Sequence, residues 1–240
     1  MIIYQQPSFT LSFGTASNAL VPADFYDCTH QEVSTQSPFK QILAFLNADT
    51  IVLSHQTHGT KGIIVRDTPP DPFTHEADFS ITNIPGIALA VCTADCLPIA
   101  IYAPDVHAIA MIHAGWRSTV NGILTKAIEY LCHTFGADKE QLQIFFGPAA
   151  GGEHYEVTHE FLNHLAKYDF AQRTVAHKAS KLYFDLPYFN ELLMQDMGVH
   201  PEQCSKRFNY CTLTDTDFTS HRRNPASKRR QISCITLKNI

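Results

Sequence analysis

Short apolar segments that are bounded by turn residues recur along the chain and predict β-strands. Residues 87–92 form the clearest of them, because a continuous apolar run of this length is typical of a strand that is buried on both faces. Six further segments predict strands in the same way: 50–54, 62–66, 99–102, 107–112, 143–146 and 232–237. The pattern therefore predicts a core that is built on β-sheets.

Helical periodicity is strongest over residues 120–135, where apolar side chains recur at intervals of three and four. Ser118 or Thr119 is the expected N-cap of this helix, since a hydroxyl oxygen can accept a hydrogen bond from a free N–H of the first turn. Gly136 is the expected end, because glycine readily adopts the left-handed conformation that follows a helix.

Two further helices and one turn complete the predicted elements. A helix over residues 186–197 has Asp185 as its expected N-cap, and a third helix is predicted over about residues 157–168. The proline-dense segment 67–72 predicts a turn. Strands interspersed with helices are typical of a layered sandwich of the α/β or α+β class with mixed β-sheets.

The composition favours one globular domain that spans residues 1–240. Apolar residues make up 45% of the chain and charged residues 17%, which excludes a disordered protein. The N-terminal residues lack the pattern of a signal peptide, and the most apolar stretch, 84–103, contains Asp95, so no membrane span is predicted. Seven cysteines without a CxxC pair, in a chain without an export signal, favour reduced thiols and a cytoplasmic location.

The charge is distributed unevenly along the chain. The net charge is −5, yet the segment from Lys206 onward carries eight basic and two acidic residues. A basic end can bind nucleic acid, form a solvated surface or face a small anionic substrate. Because the rest of the chain is acidic, nucleic acid is not expected as a partner. We expect a small-molecule substrate and a monomer or small homo-oligomer.

Polar side chains of the kinds that bind metals or catalyse reactions are concentrated in three short segments: 55–59 (HQTHG), 92–98 (CTADCLP) and 113–117 (HAGWR). Each segment lies where a predicted strand ends. Functional sites are usually built at strand ends and in the loops that follow them, so the three segments are the candidate site.

Two kinds of chemistry are compatible with these segments. His58, Cys96 and His113 would provide three metal ligands, which with an open fourth position is the arrangement of catalytic zinc sites. Alternatively, a Cys96 thiolate attacks as a nucleophile beside His113, with Asp95 or a neighbour orienting that base. A fourth protein ligand, His55 or Asp95, would instead make the zinc structural. The spacing does not separate these interpretations from buried structural residues.

Arg117 is a candidate anion-binding residue. It lies close to the expected start of a helix, where free N–H groups attract anions, and its guanidinium can donate two hydrogen bonds to a phosphate or carboxylate. A surface ion pair is the alternative. The glycine-rich segment 147–152 follows a predicted strand but lacks the lysine of a phosphate-binding P-loop, so it either lines a pocket or turns the chain.

The three segments, in this order, resemble those of the YfiH/laccase-domain family, whose members were first called multicopper polyphenol oxidases and later described as purine nucleoside phosphorylases. Further resemblances lie at 77–83 (ADFSITN), 147–149 (GPA), 155–157 (YEV) and 220–223 (SHRR). The resemblance covers nearly the whole chain from about residue 50. It implies the CNF/YfiH-like fold of a group of inferred cysteine hydrolases.

The family resemblance also implies a site and an activity. His58, Cys96 and His113 match the zinc-binding and catalytic residues of the family. The implied activities are phosphorolysis of adenosine, inosine, guanosine and methylthioadenosine, and deamination of adenosine. The expected substrate-binding residues are separate from the three metal-binding and catalytic residues. They are His55, Asp95, Arg117, Arg222 and Arg223.

Three alternative functions are also compatible with the sequence. Some relatives are linked to peptidoglycan editing, in which a wrong amino acid is cleaved from a muramyl precursor. Copper-dependent polyphenol (laccase) oxidation is the older assignment, although a multicopper site needs more histidines than the three segments hold. A binding domain with structural zinc is the non-enzymatic alternative.

The chain departs from the family pattern at two places. Glu153 and His154 stand where the family often has two cysteines. Near the C-terminus, residues 222–229 (RRNPASKR) lack the aspartate and the two glycines that follow the arginine pair in the family. The turn therefore differs, and either Arg229 or Arg230 takes the place of the family's last arginine.

Overall fold

The computed structural model describes residues 1–26, 28–36, 39–66 and 71–239, apart from the side chains of residues 30 and 34. Most of the predicted turn at 67–72 lies outside these ranges. Two mixed β-sheets pack face to face, and helices cover the outer face of each. The layered sandwich of α/β or α+β class that the sequence predicts is therefore confirmed.

The first sheet has five strands in the order β1-β2-β14-β6-β3. Their bounds are β1 Ile2–Gln5, β2 Phe9–Phe13, β3 Thr50–Leu53, β6 Ile87–Thr93 and β14 Gln231–Leu237. The neighbours pair antiparallel except β3 and β6, which are parallel. Strand β6 is buried along its whole length, as its continuous apolar sequence predicts.

The second sheet has six strands in the order β13-β9-β7-β8-β5-β4. Their bounds are β4 Gly62–Val65, β5 Phe79–Thr82, β7 Leu97–Ala103, β8 Ala108–Ala114, β9 Gln143–Phe146 and β13 Cys204–Ser205. A small third sheet contains β10 Glu156–Val157, β11 Val175–Lys178 and β12 Lys181–Phe184. All seven predicted strands are present, although several begin or end one or two residues from the predicted bounds.

The helices of the described residues flank the two large sheets. They are α1 His30–Thr35, α2 Phe39–Leu46, α3 Trp116–Val120, α4 Ile123–Phe135, α5 Leu162–Leu165 and α6 Leu186–Asp196. Helices α4 and α6 cover the outer face of the six-stranded sheet, and α2 covers that of the five-stranded sheet. None of these helices has the length and apolar character needed to cross a bilayer.

The predicted start of the first helix is wrong. Ser118 and Thr119 lie inside the short helix α3, whose N-cap is Gly115. Gly122, with a φ of +81°, then interrupts the helical path and caps α4, because glycine adopts this left-handed conformation without a steric penalty. The predicted end at Gly136 is confirmed, since its N–H donates to the carbonyl of Cys132.

The helix predicted over residues 157–168 is wrong for most of its length. Residues 156 and 157 instead form β10, which pairs with β12, and a 3₁₀ turn and the four-residue helix α5 follow. Phe161 and Leu165 give the segment its helical periodicity. Both side chains pack into the core, but they do so from the short 3₁₀ turn and from α5 rather than from one long helix. The predicted N-cap of α6 is confirmed, because the Asp185 carboxylate accepts from the N–H of Tyr188.

Candidate active site

His58, Cys96 and His113 come together at one edge of the two stacked sheets. Their potential ligand atoms all lie within 4.8 Å of one another, and His58 Nε2 is 3.8 Å from Cys96 Sγ. His58 follows β3, Cys96 connects β6 to β7, and His113 lies near the end of β8. Residues that are far apart in sequence therefore meet because the strands that carry them end at the same place.

The two loop donors are held by unusual backbone conformations. His58 has a φ of +59°, and Asp95, directly before Cys96, has a φ of +85°. Residues other than glycine rarely adopt positive φ, and such strain is found where the surrounding structure holds a functional group in place. Cys96 is also fixed from the other side, because β7 begins at the next residue and pairs with β8.

The carboxylate of Asp78 connects two of the three donors. Asp78 is 1% exposed, and its oxygens accept from the backbone N–H groups of Thr57, His58 and Gly59 at 3.2, 2.9 and 2.8 Å. The same carboxylate accepts from Nδ1 of His113 at 2.8 Å. One buried side chain thus fixes the turn that carries His58 and directs the other ring nitrogen of His113 toward the cluster.

Asp78 was not among the site residues expected from sequence. Asp78 immediately precedes β5, whereas the three segments expected from the sequence lie where strands end. The available signal was an acidic residue directly before an apolar strand, within the segment 77–83 that resembles the family. An unpaired carboxylate is rarely buried, so this position calls for a partner.

The three ionisable groups shift each other's pKa values. Burial raises the pKa of the Cys96 thiol, but His113 and His58 outweigh this effect through charge and hydrogen bonds and lower that pKa to about 6. Burial lowers the pKa of His113, whereas the Cys96 thiolate and Asp78 raise it to about 9. Burial also raises the pKa of Asp78, but His113 and the N–H of Gly59 bring it below its usual range. Without a metal, thiolate and imidazolium are therefore paired at neutral pH.

A cavity of about 470 Å³ opens over this cluster, a size that is common for small-molecule sites. Of the expected substrate-binding residues, four line it: His55, Asp95, Arg117 and Arg222. The Arg117 guanidinium lies 4.5 Å from the ring centre of Trp116, and that of Arg222 lies 5.1 Å from the ring centre of Tyr155. Two cations held on aromatic faces therefore border the cavity.

Asp95 has both carboxylate oxygens engaged by the protein. Oδ1 accepts from the hydroxyl of Thr212 at 2.7 Å, and Oδ2 accepts from the backbone N–H of Arg222 at 2.7 Å. Because its acceptors are occupied, Asp95 positions the Arg222 segment beside the loop that carries Cys96.

The C-terminal arginines divide into two groups. The guanidinium of Arg223 donates to the backbone carbonyls of Asp215 and Phe218, and Arg223 does not line the cavity. Arg229 likewise donates to the carbonyls of Ala16 and Ala19 and does not line the cavity. Arg230 lines the cavity, although its Nη1 also donates to the carbonyls of Ser227 and Arg229. Of the two residues that could replace the family's last arginine, Arg230 is the one at the cavity.

A model of the multi-copper polyphenol oxidoreductase laccase family matches residues 28–238 of the chain. The chain belongs to this family. The resemblance of the three motif segments to the laccase-domain family is therefore confirmed.

Two similar proteins are named as purine nucleoside phosphorylases. A purine nucleoside phosphorylase from Deinococcus radiodurans is 30% identical over 190 residues, which cover 79% of this chain and 71% of that protein. Purine nucleoside phosphorylase YlmD from Bacillus subtilis is 29% identical over 160 residues, covering 65% of this chain and 57% of that protein.

A solved structure has the same fold. The crystal structure of the hypothetical protein YfiH from Bacillus licheniformis matches 96% of this chain and 93% of its own, with a TM-score of 0.79 at 24% identity. This similarity confirms the YfiH-like fold that the sequence resemblance implies.

The donor set in this laccase-domain chain fits one metal ion. Two imidazoles and one thiolate are the ligand types of metals such as zinc, and the buried carboxylate on His113 is the usual support of a metal-binding histidine. Gly115 keeps the centre of the cluster open, since a Cβ at this position would lie 3.0 Å from both Cys96 Sγ and His58 Cδ2. Within the described residues, no second group of three such side chains is close enough to share an ion.

The substitution Gly115→Ala tests whether the space between the donors is needed. The added methyl group would push Cys96 and His58 apart, so we expect metal affinity to fall by about tenfold or more, as for other perturbations of ligand support. The measurement is competition with a chromogenic chelator. Gly151→Ala is the matched control, because its Cβ would meet the sulfur of Cys211 at the same 3.0 Å. Equal metal affinities in the two variants would contradict this role of Gly115.

Proposed function

We propose that the chain is a zinc-dependent purine nucleoside phosphorylase that also deaminates adenosine. The observation that carries the proposal is one His–Cys–His cluster at a cavity that three arginines line. The names of the relatives support the nucleoside substrate, and a single cluster of metal-binding side chains in the described part of the chain supports zinc over a multicopper centre.

His58, Cys96 and His113 would hold the zinc ion, which when bound supplies Lewis-acid charge in the cavity. Asp78 keeps the His113 ring oriented, and the Asp78 hydrogen bonds to the 57–59 turn keep His58 in place. The arginines match the second substrate, because a guanidinium binds phosphate through two parallel hydrogen bonds. Arg117 and Arg222 are the residues that would bind it. Nη1 of Arg222 donates to the carbonyl of Glu156, so Arg222 would bind phosphate through its other guanidinium N–H groups.

Phosphorolysis exchanges one bond at the sugar for another. A phosphate oxygen forms a bond to C1′ of the nucleoside while the bond from C1′ to N9 breaks, and the bonding electron pair leaves with the base. The proton lost by phosphate neutralises the base, so the products are ribose 1-phosphate and a free purine. The chain binds both substrates and holds the phosphate beside C1′, which makes the reaction effectively intramolecular.

Deamination of adenosine uses the same base but no phosphate. Water adds at C6 and ammonia leaves, so the arginines have no anionic substrate to hold in this reaction. The two reactions therefore differ in their dependence on the cationic part of the cavity.

Amide hydrolysis by Cys96 is the second candidate function. The thiolate and imidazolium that pair without a metal are the groups a cysteine amidase uses, and the lowered pKa of Cys96 supports it. A muramyl-amino-acid precursor would be its substrate, as in the peptidoglycan-editing relatives.

The experiment that tests the proposal is a product screen. Zinc-loaded protein is incubated with adenosine, inosine or guanosine, with and without phosphate, beside a muramyl-serine precursor. We expect free base and ribose 1-phosphate only when phosphate is present, inosine from adenosine in either case, and no turnover by Cys96→Ala. Cleavage of the precursor alone would contradict the proposal and favour the amidase.

The substitution Arg117→Ala separates the two nucleoside reactions. Loss of a hydrogen bond to a charged substrate costs about 1.5–3 kcal/mol, so we expect kcat/KM for phosphorolysis to fall roughly 10- to 100-fold while adenosine deamination changes little. Steady-state assays of both reactions on one preparation provide the comparison. Arg173→Ala is the matched control, because that guanidinium also lies on an aromatic ring, that of Tyr188, but outside the cavity. Equal losses in both reactions would exclude a phosphate role.

A further inference from the structure

One part of the cavity wall consists of aromatic rings, one of which is partly exposed. Tyr26 is 42% exposed and lines the cavity together with His55 and Phe73. The ring centres of Tyr26 and His55 are 5.2 Å apart, and those of Tyr26 and Phe73 are also 5.2 Å apart. The tyrosine ring therefore rests on two other rings and keeps area for a further contact.

The two supporting rings are fixed by the backbone. His55 donates its N–H to His75 and accepts at its carbonyl from Ala77, and the N–H of Phe73 donates to Leu53 at 2.6 Å. Phe73 is buried in the core, so the ring that Tyr26 contacts is held in place. A ring with such support loses little conformational entropy when a planar ligand stacks on it.

Arg222 and this aromatic wall lie in different parts of the cavity. Trp116, Tyr155 and Arg222 also border an adjoining cavity of about 270 Å³, which neither Tyr26 nor His55 lines. A nucleoside substrate has two parts that match this arrangement. Its planar base can stack on aromatic rings, and its sugar is the part that reacts with phosphate.

Tyr26 lies outside the segment that the family model matches. That segment begins at residue 28, whereas Pro22 and Tyr26, which line the cavity, precede it. The motif residues of the family therefore supply the donors, and the preceding segment supplies this part of the wall.

We propose that Tyr26 is a substrate-binding residue on which the purine base of the substrate stacks. The inference rests on the proposed function for its substrate class, and it adds the position of the base. His55 and Phe73 support the Tyr26 ring, and the base lies in the part of the cavity that they border.

The test measures the reverse reaction, in which a free base and ribose 1-phosphate are separate substrates. In Tyr26→Ala we expect KM for the base to rise about tenfold or more, as for loss of one base–aromatic stack, while KM for ribose 1-phosphate stays the same. Tyr26→Phe retains the ring and should keep both values. A general structural disturbance would instead raise both KM values together.

Tyr130→Ala is the matched control, because Tyr130 is 39% exposed and packs on one phenylalanine away from the cavity. Equilibrium dialysis with adenine adds a readout that needs no turnover. If the wild type is active and the Tyr26→Ala variant binds adenine as well as the wild type does, the inference about Tyr26 is overturned and the proposed function is not. A wild type that binds adenine through Tyr26 but forms no product would overturn the proposed function alone, and absence of both binding and turnover would overturn both.

Discussion

Replacing Asp78 by asparagine is expected to destabilise the fold by about 3 kcal/mol and to lower metal affinity roughly 10- to 100-fold. The carboxylate is buried and accepts from the 57–59 turn and from His113, so an amide would turn its NH₂ group toward hydrogen-bond donors. Urea denaturation of the metal-free protein measures the first effect, and competition with a chelator measures the second.

The pH dependence of this difference follows from the two pKa shifts. Because the folded-state pKa of Asp78 is lowered, its contribution to the free energy of unfolding is present above the unfolded value of about 3.9 and is lost as the pH falls through the folded value. The Cys96 thiolate and, after it, Asp78 raise the pKa of His113 to about 9. The part that Asp78 supplies is complete below the unfolded value of about 6.5 and is lost as the pH rises to 9. The stability difference between wild type and Asp78→Asn should therefore be largest between about pH 4 and 6.5.

Asp95→Asn is the matched control for this prediction. Both carboxylate oxygens of Asp95 are also engaged in hydrogen bonds, but Asp95 contacts no histidine of the cluster. Asparagine tolerates the positive φ of this position. We expect metal affinity in this variant to stay within about twofold of wild type, since no donor loses its support. Equal losses of metal affinity in the two variants would show that the link from Asp78 to His113 is not what matters.

The parts of the fold that the sequence predicts are those in which one physical pattern dominates. Strand β6 and helix α4 are specified by a continuous apolar run and by a 3.6-residue period. Strand β2 was not predicted, although its apolar residues alternate with Thr10 and Ser12 in the two-residue period of a strand. That period suggests a solvated face for Thr10 and Ser12, yet both are buried. The helix predicted over 157–168 failed because pairing of Glu156 and Val157 with β12 outweighs a local helical period.

The donors of the candidate site were accessible to sequence reasoning, whereas their supports were not. His58, Cys96 and His113 are recognisable by residue type at strand ends, and the structure places them together. The role of Asp78 depends on a turn at positive φ that brings three N–H groups to one carboxylate, which no spacing in the sequence encodes. The basic segment likewise predicts arginines at the cavity but not which of them use their guanidinium on backbone carbonyls, as Arg223 does.

Alkylation of Cys96 is expected to depend on metal and on pH in a way that distinguishes a ligand from a free nucleophile. The thiolate is the reactive form, and with a pKa of about 6 it predominates in the metal-free protein at pH 7. The rate with iodoacetamide should therefore be nearly constant from pH 7 to 8.5 and fall about tenfold per unit below pH 6, whereas an ordinary thiol still gains reactivity up to about pH 8.5.

Zinc should protect this sulfur if Cys96 is a ligand. With free zinc at 100 times its dissociation constant, only about one molecule in 100 has an unliganded site, so alkylation should slow about 100-fold and chelation should restore it. Cys92 is the internal control, since it is 5% exposed and burial raises its pKa to about 12, which keeps it unreactive in both states. Peptide mass spectrometry after brief treatment with iodoacetamide measures the alkylation of both cysteines in one sample. Equal rates for Cys96 with and without zinc would instead identify it as a free thiolate and support the amidase, because a sulfur that binds the metal cannot remain available for attack.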